Sequence, residues 1–205
     1  MRNISQKPIL VIGALVIFGF CIVLVKFYGG YWYDLYRSPW AYSKNPTEKL
    51  LIGTWQGDFT DPDGVKKHLI IKIVEPTTED ERWERAFTFK KHRRSSHKNY
   101  PNLFDGFANV KSKLGLEEYS ISGHVENNDY HQFVVKFSPV DEKKRVLPNF
   151  TLFESTQSAW QDDKMDVMLK FSYHKADGSS FWSSSIPKYS AQIKCQLQRE
   201  TPPNK

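Results

Sequence analysis

The sequence predicts a mainly β protein: an antiparallel meander of about eight strands closing into a small barrel, with one short helix, preceded by a single transmembrane α-helix. Three observations carry this. Residues 9–25 are an unbroken run of seventeen apolar or small residues. Beyond residue 50 the apolar residues recur with a period of two. Aromatic residues make up 15% of the chain, a composition that favours strands and large buried rings. A chain of 205 residues, less its first fifty, leaves enough for one hydrophobic core.

The organisation follows from these signals. Residues 1–8 form an N-terminal tail, 9–25 the transmembrane helix, 26–50 a juxtamembrane linker, 51–200 the soluble barrel domain and 201–205 a C-terminal tail. Seventeen residues at 1.5 Å each span about 25 Å, the lower end of what a hydrocarbon core needs. Phe27, Tyr28, Tyr31, Trp32 and Tyr33 extend the span as an interfacial aromatic belt. The run ends in Val23, Leu24, Val25 and Lys26 rather than in small residues, which favours an uncleaved anchor over a signal peptide. The protein is therefore expected to stay with membranes through alkaline carbonate washing. A soluble chain starting near residue 30 would contradict this. Flanking charges (Arg2 and Lys7 before, Lys26, Arg37, Lys44 and Lys49 after) tie within the window that sets orientation. Over the longer window they favour a cytoplasmic soluble domain in an inner membrane over a periplasmic one.

In the linker, Ser38, Pro39, Ser43 and Pro46 argue against continued regular structure. Residues 51–59 read as the first strand and Asp61-Pro-Asp-Gly64 as a turn, with Pro fixing φ and Gly64 supplying a positive φ. Residues 65–74 return as a β-branched strand that Pro76 ends. Thr78 and Glu81 have the spacing of a capping box, so a short helix follows through Arg85. Later segments alternate cleanly. Tyr119, Ile121, Gly123 and Val125 share one face of a strand. His131, Phe133, Val135 and Phe137 share another, as do Met165, Val167, Leu169, Phe171 and Tyr173, and finally Tyr189, Ala191, Ile193, Cys195 and Leu197. Asp177-Gly178 marks a further hairpin.

The chemistry-bearing residues are sparse. The net charge is +6, which suits acidic partners, and the densest cluster runs from Lys90 to Lys98. Within it Lys90, Lys91, Arg93 and Arg94 are the candidate ligand-binding residues, able to meet phosphate groups or anionic lipid. No aromatic residue interrupts the cluster, so single-stranded nucleic acid is not the expected partner, and no sequence-specific nucleic-acid binding is expected. The six histidines fall at no metal-ligand spacing. There is no phosphate-binding glycine loop and no nucleophile elbow. No catalytic residue, metal or cofactor is therefore expected, and the chain reads as a binding protein rather than an enzyme. The two cysteines, Cys21 and Cys195, lie too far apart in this layout to pair.

Gly53-Thr-Trp55 resembles the Gly-x-Trp opening of lipocalin-like (calycin) barrels. The resemblance implies that Trp55 closes one end of the barrel. A short anchor at 9–25 joined to a small basic barrel resembles, in architecture, the membrane-anchored β-barrel effectors of CBASS antiphage systems. That resemblance implies a cyclic nucleotide ligand, homo-oligomerisation and action on the inner membrane. Gly13, Ala14 and Gly19 offer small surfaces for helix packing. That family usually has two membrane helices, and one is visible here. The alternative reading is a periplasm-facing lipocalin-like binding or accessory module of an envelope complex.

Overall fold

The computed structural model describes residues 7–45, 47–88, 100–181 and 186–200. A helix, α1 (Lys7–Arg37), leads into nine strands: β1 (Gly53–Thr60), β2 (Lys66–Ile73), β3 (Leu103–Ser112), β4 (Gly115–Val125), β5 (Gln132–Pro139), β6 (Asn149–Gln161), β7 (Lys164–His174), β8 (Ser180–Phe181) and β9 (Gln192–Arg199), with a second helix, α2 (Glu79–Phe87), between β2 and β3. Neighbours pair antiparallel from β1 through β7. β7 pairs with β9, and β9 pairs with β1 through Trp55 opposite Arg199. Eight strands thus close into a barrel, and β8 adds two residues beside the end of β7. Closure leaves no long sheet edge to template aggregation.

Alternation decides the inside. In β2, Lys67, Leu69, Ile71 and Ile73 are buried; in β7, Met165, Val167, Leu169 and Phe171; in β9, Cys195 and Leu197. Side chains fill the interior, as the diameter of an eight-stranded barrel allows. Close strand approach needs glycine at two inner positions: a Cβ on Gly57 would lie 2.3 Å from the Gln196 carbonyl oxygen, and one on Gly106 2.1 Å from that of Lys72. β6 coils around the barrel through two register shifts. At the second, Gln157 takes φ 51° between the buried Ser155 and Ser158.

Helix α1 is longer than the span alone. It contains a stretch, Val11–Arg37, long and apolar enough to cross a membrane, with a mean hydropathy of 2.5 over its best window. It does not stop at residue 25: the residues read as the start of a linker are helical to Arg37. A helix already nucleated propagates at little cost, here through Gly29 and Gly30 despite their low helix propensity, and it ends where Pro39 disfavours helix at Ser38. The rest of the linker is not a solvated tether either. Trp40, Ala41 and Tyr42 are buried against the barrel. Trp40 donates its indole N–H to the Pro101 carbonyl at 3.0 Å and its ring lies 5.9 Å from that of Phe104. Tyr42 donates to the Thr77 carbonyl (2.9 Å) and accepts from the Thr77 amide (2.7 Å). These residues close the barrel end nearest α1.

Trp55 lies at that same end. It is fully buried, donates to the Leu51 carbonyl at 2.9 Å and carries the Arg199 guanidinium 4.1 Å above its ring. Arg199 in turn donates to the carbonyls of Ile52 and Leu50 and to Asp163 Oδ1. The last strand is thereby tied to the chain entering the first.

The cysteine of β9 supplies a first test. Cys195 is fully buried, and burial, with Asp58 and Asp166 nearby, pushes its thiol pKa up to about 12. Native protein should therefore react slowly with a water-soluble thiol reagent at position 195 until it unfolds; rapid native labelling there would contradict the register of β9. Burial also raises Tyr42 to about 12 and Tyr119 well above the ordinary tyrosine value. The sign follows from proton linkage. Each of the three stays neutral when folded while its unfolded counterpart ionises. Stability is therefore full below pH 9.0, the ordinary thiol value. It is lost from there upward, through the ordinary tyrosine value of 10.0 and on towards the folded values of about 12. The thermal midpoint should fall between pH 9 and 11, and fall less steeply in Cys195→Ala. A flat profile would contradict the burial of these groups.

Candidate functional site: the distal mouth of the barrel

Strand directions define the other end. β1, β3, β5 and β7 finish there and β2, β4, β6 and β9 start there, so Asp61, Lys67, Glu117, Asn149 and His174 gather at the mouth farthest from α1. Here the interior changes character. Lys67 continues the inward row of Leu69, Ile71 and Ile73, and its ammonium is enclosed: its side chain is 1% exposed, Asp61 1% and Glu117 8%. Charged side chains are rarely so buried unless paired. Lys67 Nζ donates to Asn149 Oδ1 (2.8 Å), to the Phe150 carbonyl (2.5 Å) and to Glu117 Oε1 (3.3 Å), and lies 3.5 Å from Asp61 Oδ2. Asn149 donates from Nδ2 to the same Glu117 oxygen at 2.9 Å. The other Glu117 oxygen accepts from the Tyr119 hydroxyl, which itself accepts from the Leu152 amide at 3.2 Å.

Local sequence sets these positions. Asp61 holds its turn by accepting from the amides of Asp63 and Val65, each at 2.9 Å. That fixes one carboxylate oxygen and leaves Oδ2 facing Lys67 without a hydrogen bond. Glu117 is in phase with Tyr119 and Ile121 on β4. Arg145 follows the 3₁₀ turn Glu142–Lys144. It donates from Nη2 to Glu142 Oε1 at 3.0 Å, places Nη1 3.1 Å from His174 Nδ1, and leaves a buried Nε without a partner. Burial, and then the Arg145 charge, lower the pKa of His174, so the imidazole is neutral at physiological pH.

An aromatic group covers one side of the mouth: Phe150, Tyr173, Phe181 and Tyr189, with centroid separations of 4.7–5.8 Å. On the other side a cleft of about 180 Å³ opens above the charge network, walled by Leu116, Glu118, Pro139, Asp141 and Arg145 and floored by Glu117, Tyr119 and Thr151. It presents one guanidinium, three carboxylates and hydroxyls, so a ligand there must combine hydrogen-bond donors with acceptors. Among the described residues no group of three His, Cys, Asp or Glu side chains has metal-site geometry.

Lys90, Lys91, Arg93 and Arg94, the ligand residues expected from the sequence, fall outside the described residues. The described residues that flank their segment contact α1 and the chain after it: the Thr88 carbonyl accepts from Lys26 Nζ at 3.3 Å, and the Pro101 carbonyl accepts from Ser38 and Trp40. The network at the mouth was missed by the sequence reading. Its signal was present: Lys67 and Glu117 occupy inward phases of otherwise apolar rows.

No family model and no curated protein matches the chain. Among solved structures it is similar in fold to a de novo designed fluorescence-activating β-barrel, at 15% identity over 73% of this chain and 94% of that one, with a TM-score of 0.39. It is likewise similar to EF1p2_mFAP2b bound to DFHBI, at 16% identity, the same coverages and a TM-score of 0.44.

Proposed function

We propose that the chain is a membrane-anchored β-barrel sensor that takes a small polar ligand at the mouth farthest from its anchor. The observation behind this reading is the buried network of Lys67, Asp61, Glu117, Asn149 and Tyr119 directly beneath an open cleft. A barrel that needed only a plug would be closed at least as stably by apolar side chains. Charges held at the mouth define a fixed polar floor instead. Size bounds the ligand, because 180 Å³ is below the roughly 300–1,000 Å³ of sites for drug-sized molecules. The cleft suits one ring or one sugar unit rather than a whole dinucleotide.

The finer reading follows the resemblance to membrane-anchored antiphage effectors. The ligand is then a nucleotide second messenger whose base edge, with its mixed donors and acceptors, enters the cleft, and the effector self-associates and acts on the inner membrane. Lys90, Lys91, Arg93 and Arg94, flanked by the anchor end, are assigned in this reading to anionic lipid rather than to the ligand. The second reading, a lipocalin-like accessory module, is supported by Trp55 at the closed end beneath Arg199.

The test is equilibrium binding of cyclic mono- and dinucleotides to the full chain in detergent micelles, for wild type, Arg145→Ala and the double variant Arg93→Ala/Arg94→Ala. Saturable binding should weaken by about 10- to 150-fold in Arg145→Ala, the loss of one charge-assisted contact of roughly 1.5–3 kcal/mol, and be unchanged in the double variant. Binding lost only in the double variant would move the ligand to the basic segment. No binding at all would remove the nucleotide class.

A further inference from the structure

Helix α2 packs on the anchor at a depth that has a consequence for the bilayer. Its N-terminal turn carries Glu79, Asp80 and Glu81, with a complete capping box from Thr78 and Glu81. From there it descends along α1. Arg82 donates from Nε to Asp34 Oδ2 at 3.1 Å, and its guanidinium lies over the rings of Tyr31 and Tyr42 at 5.3 and 5.1 Å. The next residue, Trp83, stacks on Phe27, one turn before Tyr31 on α1, with centroids 3.9 Å apart, and Ala86 is buried with Val23 and Phe27. The Val23–Asp34 spacing along α1 is about 16 Å at 1.5 Å per residue, so α2 runs steeply down the helix. Its last turn stands beside Val23, inside the apolar run of 9–25.

A hydrocarbon core of about 30 Å takes up roughly 20 helical residues. If the span begins near residue 8, its far boundary falls near residues 27–28. The end of α2 therefore meets that boundary, and what it displays there fits it. Phe87 is 62% exposed, and its ring extends the Phe27–Trp83 stack outward at 5.9 Å. Tyr28 and Trp32 on α1 are exposed as well. Net negative charge falls along the same direction, with three acids in the turn away from the bilayer and Glu84 offset by Arg85 in the turn next to it. Aromatic rings with basic neighbours are the composition that settles at a headgroup boundary.

We infer that the C-terminal turn of α2 is a second membrane-contacting element: Phe87 inserts into the headgroup–acyl boundary of the bilayer that α1 crosses, with Trp83 behind it. This rests on α1 spanning the membrane. Two contacts rather than one fix the barrel upright, with the mouth of Lys67 and Glu117 facing away from the lipid.

The experiment uses the full chain with Cys21→Ser, reconstituted into vesicles of phosphatidylcholine and phosphatidylglycerol. A nitroxide is attached to a cysteine replacing Leu15, Phe87 or Leu116 in turn, and collisions with oxygen and with a water-soluble nickel chelate are compared. Position 15 should be oxygen-rich and nickel-poor and position 116 the reverse, with position 87 shifted well toward position 15. If position 15 is deep while position 87 matches position 116, the inference is overturned and the spanning reading stands. If position 15 is itself open to nickel, the spanning reading falls and the inference with it.

Discussion

Replacing Lys67 with Ala is expected to destabilise the barrel by about 3–5 kcal/mol, the cost of breaking a buried ion pair by removing one partner. The mutation removes more than a contact. Glu117 and Asp61 would be left facing each other in a nearly closed space, and Asn149 Oδ1 and the Phe150 carbonyl would lose their shared donor. The loss should therefore exceed that of an ordinary lysine-to-alanine change on the surface, which lies within about 0.5 kcal/mol. Neutralising the whole group in the triple variant Lys67→Met/Asp61→Asn/Glu117→Gln should restore much of the stability, because it is the unpaired charge that costs most. Urea denaturation of the full chain in detergent, followed by tryptophan fluorescence, measures both. A Lys67→Ala loss below 1 kcal/mol, or a triple variant less stable than the single one, would contradict the network.

Trp55→Ala is expected to cost about 3–5 kcal/mol, the range for emptying a large buried aromatic site. Trp55 has no exposed surface, and its ring is the platform for Arg199. Without it that guanidinium loses a cation–π partner while still bound to the carbonyls that lead into β1. The damage should thus spread along the β1–β9 seam, where Trp55–Arg199 and Gln56–Gln198 are in register. Hydrogen exchange should rise in both strands in Trp55→Ala and much less in Trp55→Phe. Equal exchange in the two variants would show that an aromatic platform beneath Arg199 does not hold the seam.

The barrel was legible because most of its strands obey one rule. The rows Tyr119–Ile121, Phe133–Val135–Phe137 and Met165–Val167–Leu169–Phe171 alternate without interruption, and period two leaves one face for the core. The Asp61 and Asp177 turns and the Thr78 capping box were equally local and equally readable. Three features were not. β6 breaks its own alternation, with Asn149, Phe150, Thr151 and Leu152 all buried in succession, because it bulges and because Tyr173 and Tyr189 pack against Phe150. The burial of Trp40 and Tyr42 depends on partners about 60 and 35 residues away, which proline and serine content near them concealed. The site was hidden for a third reason: Lys67 sits beside Lys66 and Glu117 beside Glu118. A buried charge next to an exposed twin looks like surface until the strand phase is taken literally. The basic cluster at Lys90 to Lys98 stands out by its density of charge and lies outside the described residues.

The central claim is that the mouth above Lys67 and Glu117 is where the ligand enters. Hydrogen–deuterium exchange of the full chain in lipid nanodiscs, with and without saturating cyclic nucleotide, tests it most directly. Added protection should be confined to the amides around Leu116–Tyr119, Pro139–Arg145 and Asn149–Thr151. Protection appearing only at the anchor end, or none at a concentration that saturates binding, would contradict the account.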